Sequence, residues 1–162
     1  MTPKGKPALR LTLCFITAVR ILAQPAGDAA RGKALVESTG CLNCHRIGDK
    51  GFHTGPELSD IGDRRTVERL ERSIVAPDDE VLPENRYMEV VLKNGSTVRG
   101  RILGHDAMSI QLIDTKDNLR SFPIQTVKSY IVLTKGLMPS QRNLSQQDIR
   151  DIVSYLYSLK RN

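Results

Sequence analysis

The chain has 162 residues and a formal net charge of +6, from 24 basic and 18 acidic side chains. This length fits one domain, with room for an inserted module. Four of the basic residues and none of the acidic ones lie in residues 1–23, so the rest of the chain is nearly neutral. It lacks the concentrated basic surface that nucleic acid binding requires, and we expect no nucleic acid partner.

Residues 1–23 have the pattern of a secretory signal peptide, with a positively charged start, an apolar stretch over residues 11–19 and a cleavage site after Ala23. The charges at the start are Lys4, Lys6 and Arg10. Arg20 places a charge directly after the apolar stretch, which leaves open the alternative that the leader is not cleaved. The apolar stretch is nevertheless too short to span a bilayer. We expect export to the periplasm, a mature domain over residues 24–162, and no stable membrane insertion unless the leader stays uncleaved.

A short helix leads into the most informative motif of the chain. Asp28 is a good N-cap for a helix over residues 29–36, and Gly40 can terminate that helix. The sequence Cys-Leu-Asn-Cys-His follows directly, at residues 41–45. A cysteine pair with a histidine directly after it is the covalent attachment signal of a c-type haem.

This motif supplies three contacts to one haem. Cys41 and Cys44 lie about one helical turn apart, so both thiols can form thioether bonds to the vinyl groups on one edge of the porphyrin. His45 is carried under the ring, where a neutral imidazole can bind the iron. A redox dithiol would need a βαβ context and a zinc site a second ligand pair, and the sequence offers neither. We therefore predict one covalently bound haem c.

Gly55 and Pro56, on the loop after the motif, predict how His45 is held. An iron-bound histidine usually donates its other ring N–H to a carbonyl, and the Pro56 carbonyl is the predicted acceptor. The alternative is an ordinary Gly-Pro turn with no role at the iron.

The apolar periodicity changes near residue 86. A helix is predicted over about residues 65–75, and from residue 86 onward the period falls from 3.6 to about 2. Five short strands are predicted, over residues 87–92, 97–103, 108–113, 119–122 and 130–133. Asn94-Gly95 predicts a tight hairpin between the first two strands. We expect a β module over residues 84–134, inserted into a helical domain.

Met138 is the predicted sixth ligand of the iron. It lies in Leu137-Met138-Pro139, before the last helix, where a backbone fixed by proline can aim the thioether at the distal face. The other candidates are Met88, Met108, His53 and His105. The two methionines fall in strand patterns and are interpreted as packing residues. His105 is interpreted as a turn residue, and His53 as too close to His45 to reach the opposite face.

The last helix begins after Ser145, whose spacing to Asp148 is that of a capping box with Asp in place of Glu. Its apolar stripe consists of Ile149, Ile152, Val153, Leu156 and Leu159. Helical patterns on both sides of the strands indicate a mainly α haem domain interrupted by a small antiparallel β module, α+β overall.

Together these features resemble class I cytochrome c. The residues that carry the resemblance are Gly32, the motif at 41–45, Gly55-Pro56-Glu57-Leu58, Leu137-Met138-Pro139 and Tyr155-Leu156. A narrower set is similar to the planctomycete-type haem-binding domain, in which a β module separates the haem-attachment half from the methionine half. That set consists of Arg64, residues 70–74, Pro77, Tyr87, Asn94-Gly95 and residues 121–124.

The resemblance implies a role for each half of the chain. It implies that the cysteine pair attaches the haem and that His45 and Met138 ligate the iron. It also implies that Gly32 packs against the C-terminal helix near Tyr155.

We predict a periplasmic monohaem electron carrier rather than an enzyme, because nothing in the sequence arranges an acid, base or nucleophile around a substrate. Its partners would be redox proteins such as a periplasmic dehydrogenase or oxidase. Ligation by Met138 would block small-molecule binding and raise the reduction potential relative to two nitrogen ligands. Two alternatives stay open. One is a haem-based ligand-binding or sensing module, in which the β module displaces Met138; the other is a docking subunit, whose β module recognises the redox partner.

Overall fold

Four α-helices and seven β-strands make up the part of the chain that this computed structural model describes, residues 26–161. The helices are α1 (Ala29–Ser38), α2 (Ile61–Arg64), α3 (Val67–Val75) and α4 (Gln146–Ser158). The strands are β1 (Arg46–Ile47), β2 (Lys50–Gly51), β3 (Tyr87–Leu92), β4 (Thr97–His105), β5 (Ser109–Asp114), β6 (Leu119–Pro123) and β7 (Val127–Val132). Within residues 26–161, no helix is both long enough and apolar enough to cross a membrane. The predicted signal peptide, residues 1–23, lies outside the described residues.

Local capping starts α1 and α4 where the sequence predicts. The Asp28 side chain accepts hydrogen bonds from the N–H groups of Ala30 and Arg31, at 2.8 and 3.1 Å. The Ser145 hydroxyl accepts a hydrogen bond from the Asp148 N–H at 3.1 Å. Each cap satisfies amides of the first helical turn that have no partner within the helix. The predicted starts of both helices are confirmed.

Gly32 is the point of closest approach between α1 and α4. A Cβ atom at this position would lie 1.9 Å from the Asp151 carbonyl oxygen and 2.9 Å from the Tyr155 Cβ. Only glycine leaves room for this approach, so the expected packing of Gly32 against the C-terminal helix near Tyr155 is confirmed. The helical core beside this contact consists of Val36, Ile61, Leu70, Ile74, Ile149, Ile152, Val153 and Leu156.

Strands β3 to β7 form one antiparallel sheet in the order β6-β5-β4-β3-β7. Gly95, with a φ of 87°, donates its N–H to the Leu92 carbonyl at 2.9 Å and so closes the turn between β3 and β4. The hairpin predicted at Asn94-Gly95 is confirmed. A second hydrophobic core lies on one face of the sheet. It consists of Met88, Val90, Ile110, Leu112 and Phe122.

The expectation of a mainly α protein is wrong. Helix accounts for 33% of the structure and strand for 26%, so the fold is mixed. Part of the error lies in strand length, because β4 continues to His105 and β7 begins at Val127, before the predicted strand at 130–133. The added residues, such as His105 and Ser129, are held by hydrogen-bonded pairing with neighbouring strands. Backbone pairing needs no apolar side chain, so the alternation of residues does not reveal it.

Candidate haem-attachment site

Cys41, Cys44 and His45 lie on a single turn after α1. Gly40, with a φ of 82°, leads into a 3-10 helix over Cys41–Asn43. The N–H groups of Cys44 and His45 both donate to the Cys41 carbonyl, at 3.3 and 3.0 Å. Both cysteines are free thiols and half-buried. The structure therefore brings the three motif residues together.

The Cys44 thiol is partly buried. Burial raises its pKa, and the neighbouring Cys41 raises the pKa further, because two thiolates would repel each other. The Cys41 sulfur lies 3.5 Å from the Thr39 hydroxyl. At neutral pH Cys44 is therefore a protonated thiol.

The His45 imidazole is buried and oriented by one hydrogen bond. His45 is 8% exposed, and its Nδ1 lies 2.8 Å from the Pro56 carbonyl oxygen. Because a carbonyl oxygen only accepts, Nδ1 carries the proton and Nε2 keeps its lone pair. The hydrogen bond that the sequence predicts is present, whereas its role at an iron stays a prediction.

The charge state of His45 suits metal ligation. Burial lowers the pKa of the imidazole; the hydrogen bond to Pro56 opposes this effect, and the positive charge of Arg101 adds to it. At neutral pH the imidazole is therefore uncharged in the folded protein. A c-type haem requires two thiols to attach the porphyrin and a neutral imidazole nitrogen to bind the iron. Cys41, Cys44 and His45 offer these groups, so they fit that cofactor.

Two glycines let the loop after the motif lie directly against His45. A Cβ atom at Gly55 would lie 2.9 Å from both Cε1 and Nδ1 of the imidazole and 3.1 Å from the Cys44 carbonyl oxygen. At Gly51, whose φ is 93°, a Cβ atom would lie 2.1 Å from the His45 carbonyl oxygen. Gly55 therefore lies against the ring and Gly51 against the main chain of His45, and a larger residue at either position would displace the loop.

Met138 lies on a different segment, between β7 and α4. It is half-buried, and its segment is fastened to the end of α3 by three hydrogen bonds. Ser140 Oγ and Arg142 Nε donate to the Val75 carbonyl at 2.6 and 2.9 Å, and the Gln141 N–H donates to the Ile74 carbonyl at 3.0 Å. The structure thus brings the motif and Pro56 together by direct contacts, while ligation by Met138 stays a prediction.

The four other candidate ligands lie in different environments within the fold. Met88 is fully buried in the core of the sheet, as predicted for a packing residue. Met108 is 75% exposed in the turn between β4 and β5, so its interpretation as a packing residue is wrong. The His105 ring packs edge-on against Tyr130, and His53 Nδ1 lies 3.2 Å from an Asp117 carboxylate oxygen.

Sequence reasoning missed the contribution of the sheet to this site. The Tyr87 hydroxyl donates to the Thr54 carbonyl at 2.7 Å, and Arg101 donates from Nε to the same carbonyl at 3.2 Å. Arg101 also donates from Nη2 to the His53 carbonyl at 2.8 Å. The alternation within the strands shows which residues share a face of the sheet. It gives no signal that this face meets the loop beside His45.

Residues 29–97 match the family model described as cytochrome c. The matched segment begins at α1, includes the cysteine motif and Pro56, and ends at the first residue of β4. The comparison with curated proteins found no match. The family match supports a haem-binding, electron-transfer protein with covalently bound haem, whereas Met138 and α4 lie beyond the matched residues.

Proposed function

We propose that this protein is an exported, periplasmic electron carrier with one haem c, ligated by His45 and Met138. The observation that carries the proposal is the buried imidazole of His45, which donates from Nδ1 to Pro56 and keeps Nε2 available beside two free thiols. When bound, the haem would supply one-electron chemistry at its iron. The residues of the chain would attach the porphyrin, orient the imidazole and exclude water from it.

The fastening of the Met138 segment favours a carrier over a sensing module. Three hydrogen bonds fix residues 140–142, directly after this methionine, to the end of α3, which limits the movement of the segment. A methionine that ligates the iron would fill its sixth position and leave no site for a diatomic ligand. Electron transfer without substrate chemistry follows from such a closed site, with a periplasmic dehydrogenase or oxidase as the partner.

Export is proposed from the signal-peptide pattern of residues 1–23. Cell fractionation tests export. A cleaved, exported protein should be found in the periplasmic fraction at the mass of residues 24–162. Recovery of the full-length chain in the cytoplasmic fraction alone would contradict it.

Covalent haem attachment is tested by haem staining of the denatured protein after expression with the c-type maturation machinery. The wild type should stain and should keep its pigment in acidic acetone, whereas the double variant Cys41→Ala, Cys44→Ala should lose both properties. Asn43→Ala is the matched control, since it changes an exposed residue of the motif without removing a thiol and should stain like the wild type. A colourless wild type would contradict the proposal.

Ligation by Met138 is tested by the spectrum of the oxidised protein. A far-red charge-transfer band should be present in the wild type, absent in Met138→Ala and unchanged in Met108→Ala, which alters an exposed methionine of the β4–β5 turn. Binding of carbon monoxide to the reduced wild type would instead favour the sensing module.

A further inference from the structure

The sheet holds the loop beside His45 at three places. Tyr87 on β3 and Arg101 on β4 donate to the Thr54 carbonyl, and Arg101 also donates to the His53 carbonyl. In the turn between β5 and β6, the Asp117 carboxylate accepts the His53 N–H at 2.6 Å. The sheet and its β5–β6 turn thus hold residue 53 through its N–H and C=O groups and residue 54 through its C=O group.

The contacts at Thr54 lie away from solvent. Tyr87 and Thr54 are each 6% exposed, so water cannot readily replace the hydroxyl at the Thr54 carbonyl. A buried carbonyl that lost this donor would be left partly unsatisfied. The sheet therefore contributes a specific, protected contact to the loop.

A single peptide unit transmits these contacts to the cysteine motif. The Thr54 carbonyl accepts from the sheet, while the N–H of the same peptide, at Gly55, donates to the Cys44 carbonyl at 2.6 Å. Because the peptide unit is planar, its two sides cannot rotate independently. Donors on its carbonyl also strengthen its N–H as a donor. Gly55 lies against the imidazole of His45, so movement of this peptide reaches the ring.

Arg101 brings a positive charge that no carboxylate neutralises in the described residues. Arg99, on the same face of β4, pairs with Glu89 at 2.6 Å, whereas both contacts of the Arg101 guanidinium in residues 26–161 go to carbonyl oxygens. The guanidinium contacts the carbonyls of the two residues directly before Gly55, whose backbone lies against the imidazole of His45, so the charge lies near that ring. A nearby positive charge disfavours a ferric iron more than a ferrous one, since the ferric ion carries one more positive charge.

We propose that the β module is a clamp on the proximal side of the haem, in which Tyr87 and Arg101 are positioning residues and Arg101 raises the reduction potential. The inference rests on the proposed function, because it requires haem ligated by His45. It gives the sheet a role within the redox site that is independent of partner recognition.

The charge is tested by redox titration of the haem-loaded full chain. Arg101→Gln should lower the midpoint potential, so that the ratio of ferrous to ferric protein at a fixed ambient potential falls several-fold; a tenfold fall corresponds to about 59 mV for one electron. Arg101→Lys keeps the charge and should retain most of the potential. Arg99→Gln is the matched control, since it removes a paired charge from the same strand and face, and it should change the potential little.

The clamp is tested by hydrogen exchange at the Gly55 amide. Tyr87→Phe removes only the hydroxyl and keeps the buried ring, and it should speed exchange of this amide by about fivefold, as expected for one lost hydrogen bond. This measurement needs no bound haem. It therefore still tests the clamp if the proposed function fails.

Two results would overturn the inference. If Arg101→Gln and Arg99→Gln shift the midpoint potential equally, the shift reflects only the net charge of the protein, and Arg101 has no special role. Unchanged exchange at Gly55 in Tyr87→Phe would show that the sheet does not restrain the loop. A wild type without haem would refute the proposed function, which is a separate and recognisable outcome.

Discussion

Replacing Gly32 by alanine tests the closest contact between α1 and α4. The added Cβ would lie 1.9 Å from the carbonyl oxygen and 2.5 Å from the carbonyl carbon of Asp151, and 2.9 Å from the Tyr155 Cβ. The two nearest atoms belong to the backbone, so no change of side-chain rotamer relieves the overlap. The helix α1 must move away from α4.

Two opposing effects determine the size of the change in stability. Alanine favours a helix over glycine by about 1 kcal/mol. Overpacking typically costs about 1–3 kcal/mol, and a clash with rigid backbone belongs at the upper end of that range. We therefore expect Gly32→Ala to lower the free energy of unfolding by about 2 kcal/mol, because the clash exceeds the gain in helix propensity.

Urea unfolding followed by far-ultraviolet circular dichroism measures this change. Gly104→Ala is the control for a glycine with space, since a Cβ atom there has only Gln111 Oε1 nearby, at 3.8 Å. Ala34→Gly, on the exposed side of α1, isolates helix propensity and should cost about 1 kcal/mol. A Gly32→Ala protein as stable as the wild type, or more stable, would refute the packing argument.

Two further predictions concern the loop and the sheet. Gly55→Ala should displace the His45 ring, so the haem stays covalently bound while the EPR g values of the ferric protein shift; the Gly104→Ala control should show no shift. Burial alone would raise the pKa of Asp114, but hydrogen bonds, chiefly from Asn118, hold that pKa below its ordinary value of 3.8. The carboxylate therefore contributes stability that is complete above about pH 4 and is lost as the pH falls through the lower folded-state pKa. Asp114→Asn should be less stable at pH 7 by about 1–2 kcal/mol, and urea midpoints should converge with those of the wild type at low pH.

The sequence predicts best what local chemistry decides. Asp28 and Ser145 start their helices because a side-chain oxygen caps amides two or three residues away, and that spacing is visible in the sequence. The bounds of β3 were predicted correctly at residues 87–92, where apolar alternation runs up to the Asn94-Gly95 turn. The true lengths of β4 and β7 depend on pairing with other strands, and single-segment periodicity does not contain that information.

The same distinction applies to the candidate site. The cysteine motif and Pro56 lie within sixteen residues of one another, and the expected hydrogen bond from His45 to Pro56 is present. Tyr87 and Arg101 reach the loop from 33 and 47 residues further along the chain. Their contact arises only when the sheet packs against the loop.

The contacts between sheet and loop also change how a docking role has to be tested. Deleting residues 86–133 would remove Tyr87 and Arg101 together and leave the Thr54 carbonyl without these donors, so lost reduction by a partner could come from a disturbed His45. Ile131→Glu avoids this ambiguity, because Ile131 is 60% exposed on the edge strand β7. If the partner reduces this variant more slowly and the reduction potential of the haem is unchanged, docking occurs through the sheet. If the reduction potential changes, the slower reduction is explained by the clamp.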